Sequence, residues 1–213
     1  MPPKLKTDAE RQQLRTLIID SARELFITRG VEAVTMREIA KRIDYSATSI
    51  YHHFEDKESL IRAICDTDFL ALASSLKATL KFPHPVERML ALGSGYAAFA
   101  LSHPNHYRLM FMTEHSPIDP ALSSLKQNNA EQDAYFQLKS VVKEVYDAGH
   151  FRPDLQDVDL IAQTIWAGIH GGTFFTNNHG TRHMGKMDGH FGAIRFNAAN
   201  DYTRPLKKWC RIN

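Results

Sequence analysis

Residues 35–54 read TMREIAKRIDYSATSIYHHF, and how that stretch folds decides the rest. It opens Thr35-Met36-Arg37-Glu38, the pattern of a capping box. The Thr35 hydroxyl can accept the Glu38 amide while the Glu38 carboxylate reaches back to the Thr35 amide. Met36, Ile39, Ala40 and Ile43 then recur at helical spacing and form one apolar stripe. Arg37, Lys41 and Arg42 fall off that stripe.

A helix does not run cleanly through Asp44-Tyr45-Ser46. Asp44 tolerates a left-handed backbone better than most residues, and Ser46 is a good N-cap for a second helix. In that helix Ala47, Ile50 and Phe54 share one face, and Thr48, Ser49, Tyr51 and His52 share the other. A short helix with a small, polar, hydroxyl-rich outer face suits a DNA major groove. The stretch therefore reads as a helix-turn-helix whose second helix contacts DNA. The plainer alternative is an ordinary helical hairpin.

The residues that follow, Phe54-Glu55-Asp56-Lys57-Glu58-Ser59-Leu60, end the second helix and start another. The whole run from Thr35 to Leu60 resembles the DNA-binding signature of the TetR family of transcriptional regulators. The matching features are Thr35, the Ile39-Ala40 pair, Ser46, the Ile50-Tyr51 pair, Phe54, Lys57 and Leu60. The chain departs from that pattern in two places. Asp44 stands where the family usually carries Gly, and Ala47 stands near where it often carries Lys or Arg. The second departure means fewer charged contacts at base edges.

At 213 residues, 43% of them hydrophobic, the chain suits one moderate domain or a small domain joined to a larger one. A net charge of +2 excludes a polycation, so any nucleic-acid binding must come from local charge. Cys65 and Cys210 lie too far apart in sequence for a metal or redox spacing. No stretch is long and apolar enough to span a bilayer, and the basic N-terminus lacks an apolar signal core, so a cytoplasmic protein is expected.

Taken in order, residues 1–7 form a basic arm bearing Lys4 and Lys6. From Asp8 a helix is predicted, with Leu14, Ile18, Ala22, Leu25 and Phe26 on one face and Gly30 at its end. It should pack across the helix-turn-helix and hold it rigid, closing a DNA-binding domain over residues 1–54. Asp56 can cap the next helix, about Lys57 to Leu80. Lys81-Phe82-Pro83-His84-Pro85 breaks it. Further helices are predicted over Val86–Ser102 and Asn105–Met112, then Ala121–Ala148, and one opening at Pro153-Asp154. In the last of these Val158, Ile161, Ala162, Ile165, Trp166 and Ile169 are apolar, and Leu160 and Ala167 widen the stripe. A helix apolar on more than one side must be covered on more than one side. That favours a homodimer over a monomer with a fully buried helix.

Ile165-Trp166-Ala167-Gly168-Ile169-His170-Gly171 and His106-Tyr107-Arg108-Leu109-Met110-Phe111 resemble the C-terminal part of the Trp-His-Gly subgroup of the same family. The resemblance implies an all-helical ligand-binding and dimerisation domain over residues 55–213. Past Gly172 the pattern weakens, because six of the eleven glycines lie between Gly171 and Gly192 and helical periodicity is poor. The tail 172–213 is accordingly expected to be atypical for the family. His179 and His183 are four apart, with His190 and Cys210 nearby. Without a regular helix or an acid or cysteine cluster they fall short of a metal site. No GxSxG, phosphate loop or CxxC occurs, so neither a catalytic residue, a metal nor a cofactor is expected.

The resulting expectation is an all-α protein that is not an enzyme: a ligand-responsive regulator binding a palindromic DNA operator as a dimer. Thr48, Ser49, Tyr51 and His52 would meet base edges, thymine methyls or phosphates. Thr35, Tyr45 and Lys57 would hold the backbone, with Ser46 also among the DNA-binding residues and Arg37 among the cations steering the approach. Candidate ligand-lining residues are Phe69, Tyr96, Phe99, Tyr107, Met110, Phe111, Trp166 and His170, which suit a small apolar or aromatic effector. The rivals are a helical metal-dependent enzyme using the His-rich tail, and a protein-interaction module that does not bind DNA.

Overall fold

The computed structural model describes residues 7–113, 123–126 and 128–179. Among these the chain is all-α. Its helices are α1 (Asp8–Arg29), α2 (Met36–Arg42), α3 (Ala47–Tyr51), α4 (Lys57–Leu76), α5 (Pro85–Ser102), α6 (Pro104–Phe111), α7 (Ala134–Asp147) and α8 (Val158–His179). A 3-10 turn over Lys77–Lys81 follows α4.

The described residues divide into two compact units. The first takes residues up to Asp68 together with Asn105–Leu125, and the second takes Phe69–Pro104 and the residues from Lys126 onward. In the first unit, α1 lies against α2, and α2 against α3. Ile18, Ala22, Phe26, Val34, Ile39, Ile50, Leu60 and Ile64 are all but sealed from solvent. All but Val34, which lies between α1 and α2, are stripe residues of four successive helices, so a single core fixes the position of the short reading helix.

In the second unit α5, α7 and α8 pack pairwise. Met89, Leu92, Val141, Val142, Val145, Ile161, Ala162 and Ile165 form the core. Gly95 lets α5 approach the end of α4 closely, since a Cβ there would stand 2.8 Å from the Leu76 Cδ2. Gln137 is 1% exposed. Its Nε2 donates to the carbonyl oxygens of Ala73 (3.0 Å) and Ala130 (2.6 Å). Ala73 sits in the last turn of α4, where helix carbonyls lack partners of their own.

Three predicted boundaries are corrected. The helix expected from Ala121 begins only at Ala134, because Asn128 adopts a left-handed φ of 57° and the Asp133 side chain caps the Phe136 amide. The helix expected to open at Pro153-Asp154 starts at Val158, where the Asp157 carboxylate accepts the Asp159 and Leu160 amides. The helix expected to reach Leu80 stops at Leu76 and tightens into the 3-10 turn. In each of the first two cases an apolar pattern extends past the real cap. Conversely, α8 continues to His179 despite its glycines. The remainder of the expected atypical tail lies outside the described residues, as do His183, His190 and Cys210 of the metal reading.

Candidate nucleic-acid interface

The helix-turn-helix is built from short-range hydrogen bonds. At the start of α2 the Thr35 Oγ1 accepts the Glu38 amide (3.3 Å) and the Thr35 amide donates to Glu38 Oε2 (2.8 Å). Arg29, in the last turn of α1, donates to Glu38 Oε1 (2.7 Å). The Arg29 guanidinium and the Thr35 amide and hydroxyl together hold the Glu38 carboxyl down at about 2. The box thus fixes α2 to α1 as well as starting it.

The turn is a left-handed C-cap. Asp44 takes φ 57°, its amide donates to the Lys41 carbonyl (3.4 Å), and the Tyr45 amide donates to the Ala40 carbonyl (3.0 Å). That pair of bonds is the Schellman arrangement. Gly is the usual occupant of such a position because a Cβ is strained there. Ser46 then caps α3, its Oγ accepting the Ser49 amide (3.2 Å) and lying 2.9 Å from the Ser49 hydroxyl. Ile50 anchors α3 in the core at 0% exposure, and Phe54 closes it, with the Arg15 guanidinium 4.4 Å above the Phe54 ring. Asp56 and Ser59 cap α4 reciprocally.

What this frame presents outward is a small polar face. Thr48, Tyr51 and His52 are exposed, with Tyr51 at 51%. At positions i, i+3 and i+4 they share one side of the helix. None of the three side chains hydrogen-bonds or ion-pairs among the described residues. Ser49 is half-buried, and Thr35, Arg37, Tyr45 and Ser46 are exposed around the reading helix. Lys57 is half-buried, and its Nζ donates to the Val31 carbonyl (3.1 Å) and lies 4.0 Å from Glu32. Arg29 and Arg42 are likewise engaged internally, by Glu38 and Glu24. Local positive charge on this face therefore rests chiefly on Arg37 and Lys41.

Behind the face lies a group that the sequence reading missed. Arg23 is 5% exposed and Asp68 is 0% exposed. Arg23 donates from Nε (3.1 Å) and from its terminal nitrogen (2.6 Å) to the two Asp68 oxygens, and also to Asp20 (2.6 Å). Burial works to lower the Arg23 pKa, but the Asp68 and Asp20 carboxylates outweigh it and hold it raised. His106 Nδ1 stands 3.0 Å from the same Asp68 oxygen. The network joins α1, α4 and α6. Its members are 45 and 38 residues apart, beyond the reach of any local pattern. Cys65, next to it on α4, is buried, and burial first, with Asp68 and Asp66 adding to it, pushes its thiol up to about 12. It is an unreactive core residue.

Of the expected ligand-lining residues, Tyr96, Trp166 and His170 come together in the second unit. The Tyr96 hydroxyl is 2.9 Å from His170 Nδ1, and the Trp166 ring stacks on His170 at 4.8 Å between centroids. Burial lowers the His170 pKa. Phe99 instead stacks on His103 at 4.7 Å, and Phe69 is half-buried on α4. Tyr107, Met110 and Phe111 belong to the first unit, with the Tyr107 and Phe111 rings 5.1 Å apart. Among the described residues no cluster of His, Cys, Asp or Glu has the makings of a metal site, and no helix is long and apolar enough to cross a membrane.

Comparison with known proteins agrees with this geometry. Residues 18–64 match the sequence model of bacterial regulatory proteins of the tetR family. Residues 89–194 match that of the tetracyclin repressor-like C-terminal domain. The HTH-type transcriptional repressor KstR2 of Mycobacterium tuberculosis is 29% identical over 163 residues, 71% of this chain and 78% of that protein. The HTH-type transcriptional regulator UidR of Escherichia coli is 37% identical over 78 residues, 37% of each chain. The fold is shared with the transcriptional regulator FadR of Bacillus subtilis, solved in complex with stearoyl-CoA. Its TM-score is 0.64 at 18% identity, covering 76% of this chain and 86% of that one.

Proposed function

The chain belongs to the TetR family of transcriptional regulators, DNA-binding and ligand-responsive proteins that are not enzymes, and from that premise we propose that it is a repressor binding a palindromic operator as a homodimer. The observation that carries this is the Thr48–Tyr51–His52 face, exposed on a helix capped at both ends and anchored by Ile50. Two copies would place these faces in successive major grooves, about 34–36 Å apart or a multiple of that. Ser49 stands beside them. Thr35, Tyr45, Ser46 and Lys57 would position the phosphates, Lys57 exchanging its Val31 carbonyl for one, and Arg37 would add local charge. Residues 1–54 are the functional DNA-binding domain, and residues 55–213 bind ligand and dimerise.

Support for the dimer comes from α8. Leu160 is 59% exposed, and Thr164, Ala167 and Gly171 follow it along the same face. A Cβ at Gly168 or Gly171 would meet nothing within 4 Å. A stripe of small and apolar residues left uncovered on one chain suits close packing against a second copy. Trp166, His170 and Gly171 support placing the second half in the Trp-His-Gly subgroup. For the effector, Tyr96, Trp166 and His170 offer an aromatic surface with one polar handle, which suits a small apolar or aromatic compound. The stearoyl-CoA held by the FadR of Bacillus subtilis makes long acyl chains worth including among candidates. The effector would bind one conformation better than the other and shift the population away from DNA. A cytoplasmic location follows from the function.

An electrophoretic shift with DNA flanking the protein's own gene tests the reading. A specific complex is expected, weakening steeply as salt rises and lost in Tyr51→Ala/His52→Ala. Absence of any specific fragment in a genome-wide pull-down of bound DNA would end it.

A further inference from the structure

We infer that α3 selects its half-site chiefly by thymine methyl groups, with the Thr48 methyl and the Tyr51 ring as the contacting surfaces. The inference rests on the DNA-binding reading above. Base edges in the major groove are told apart by paired hydrogen bonds: Arg or Lys on guanine, Asn or Gln on adenine, Asp or Glu on cytosine. None of these six residue types occurs between Tyr45 and Phe54. The two serines are engaged first with each other and with the cap of α3. Ser46 Oγ accepts the Ser49 amide, and the two hydroxyls hydrogen-bond each other at 2.9 Å. Ile50 is buried and Ala47 has no polar atom.

His53 is half-buried, which leaves Thr48, Tyr51 and His52, one exposed face without internal partners among the described residues. His52 offers single hydrogen bonds from two divergent ring nitrogens, which cannot make a bidentate pair with one base. Thr48, an exposed residue, carries a methyl, and Tyr51, 51% exposed, carries a ring. The C5 methyl of thymine is the one apolar feature the major groove displays, and a Thr methyl or an aromatic ring matches it. The exposed cations of this face, Arg37 and Lys41, stand on α2, so a guanine contact from them falls outside the part of the site that α3 reads.

The test starts from duplexes selected by the full-length protein out of a random pool, then resynthesised with deoxyuridine in place of each thymine. Deoxyuridine keeps every hydrogen-bonding group and removes only the methyl. Affinity is expected to fall about fourfold for each contacted methyl, at one or more positions in each half-site. Thr48→Ser keeps the hydroxyl and drops the methyl. It should erase the thymine-over-uracil preference at one of those positions, while circular dichroism stays unchanged. All-uracil duplexes bound within about twofold of the thymine originals would overturn the inference and leave DNA binding standing. A pool yielding no enriched sequence would overturn the DNA-binding reading, and this inference with it.

Discussion

The two units spend their polar groups differently. In the helix-turn-helix the side chains that cap the helices find their partners three residues away: Thr35 with Glu38, Ser46 with Ser49, Asp56 with Ser59. In the second unit the telling bonds join distant residues, as Tyr96 meets His170 across 74 positions and Gln137 meets Ala73 across 64. Local bonds fix backbone shape, and a protein that must present one small helix to DNA needs that shape held. Distant bonds pin helices together inside a domain. The Arg23–Asp68 pair breaks the division, since it is long-range, buried and inside the first unit.

That exception supplies the largest expected effect. Asp68→Ala leaves a buried guanidinium with only the exposed Asp20 as counter-ion. Removing one partner of a buried pair costs about 3–5 kcal/mol, readable as a drop in the urea midpoint with an unchanged slope. The double variant Arg23→Met/Asp68→Leu removes both charges and should recover most of that loss. If Asp68→Ala were nearly neutral, the buried pair would add nothing to what the caps and the apolar core already hold.

The same division sets what the amino-acid sequence reveals. Thr35 and Glu38 announce their bond because a capping box lies within four consecutive residues. Asp44 signals the turn, and the 3.6-residue stripes of α1 and α2 mark the core. The exposed reading face follows from what the stripes leave out. Arg23–Asp68 is invisible by the same logic, because nothing near Arg23 says which carboxylate it meets. Periodicity alone places the starts of α7 and α8 too early, because apolar residues recur at helical spacing on both sides of Asp133 and Asp157. Only the caps, not the periodicity, say where each helix starts. Which aromatic side chains gather in the second unit is also a matter of packing, and Tyr96, Trp166 and His170 meet while Phe99 turns to His103.

The caps set the next prediction. Thr35→Ala removes the hydroxyl acceptor of the α2 box and should cost about 1 kcal/mol. Because α2 supports α3, operator affinity should fall further than a lost phosphate contact alone explains. Thr35→Ser, which keeps the cap, should restore both stability and affinity. Equal affinity losses for the two variants would show that the Thr35 methyl, not the cap, matters.

One turn occurs in both units and allows a direct comparison. The end of α7 repeats the end of α2: the Gly149 amide donates to the Tyr146 carbonyl (2.9 Å) and the His150 amide to that of Val145 (3.2 Å). The left-handed residue is Gly149, φ 70°, in one and Asp44, φ 57°, in the other. A Cβ in that conformation costs roughly 1 kcal/mol, less for Asp than for most residues. Asp44→Gly should therefore stabilise by somewhat under about 1 kcal/mol, read as a small rise in melting temperature. It also removes a negative charge beside the reading helix, so operator affinity should rise, and more so at low salt. Gly149→Asp should do the reverse to stability and leave DNA binding alone.

The smallest effect is one of pH, and it separates the units by window. Burial lowers the His170 pKa below its ordinary 6.5, so the folded protein holds this ring neutral where the unfolded chain would protonate it. Stability linked to His170 is then present above about 6.5 and lost as pH falls through the lowered value, because the unfolded state binds the extra proton. Glu38, held down at about 2 from an ordinary 4.5, contributes stability that is full above about 4.5 and lost progressively as pH falls from there to about 2. Mild acid should thus weaken the Tyr96–His170 contact while the α2 box stays intact. Titration of the His170 ring protons by NMR reads the first window. The Thr35 amide shift, which follows the Glu38 carboxylate, reads the second. His170→Phe should flatten the stability profile between pH 7 and 5 without touching the response at lower pH. A His170 that titrates at or above 6.5 would mean that its ring meets water or an acid, and that the aromatic cluster is not the closed, apolar contact inferred from Trp166 and Tyr96.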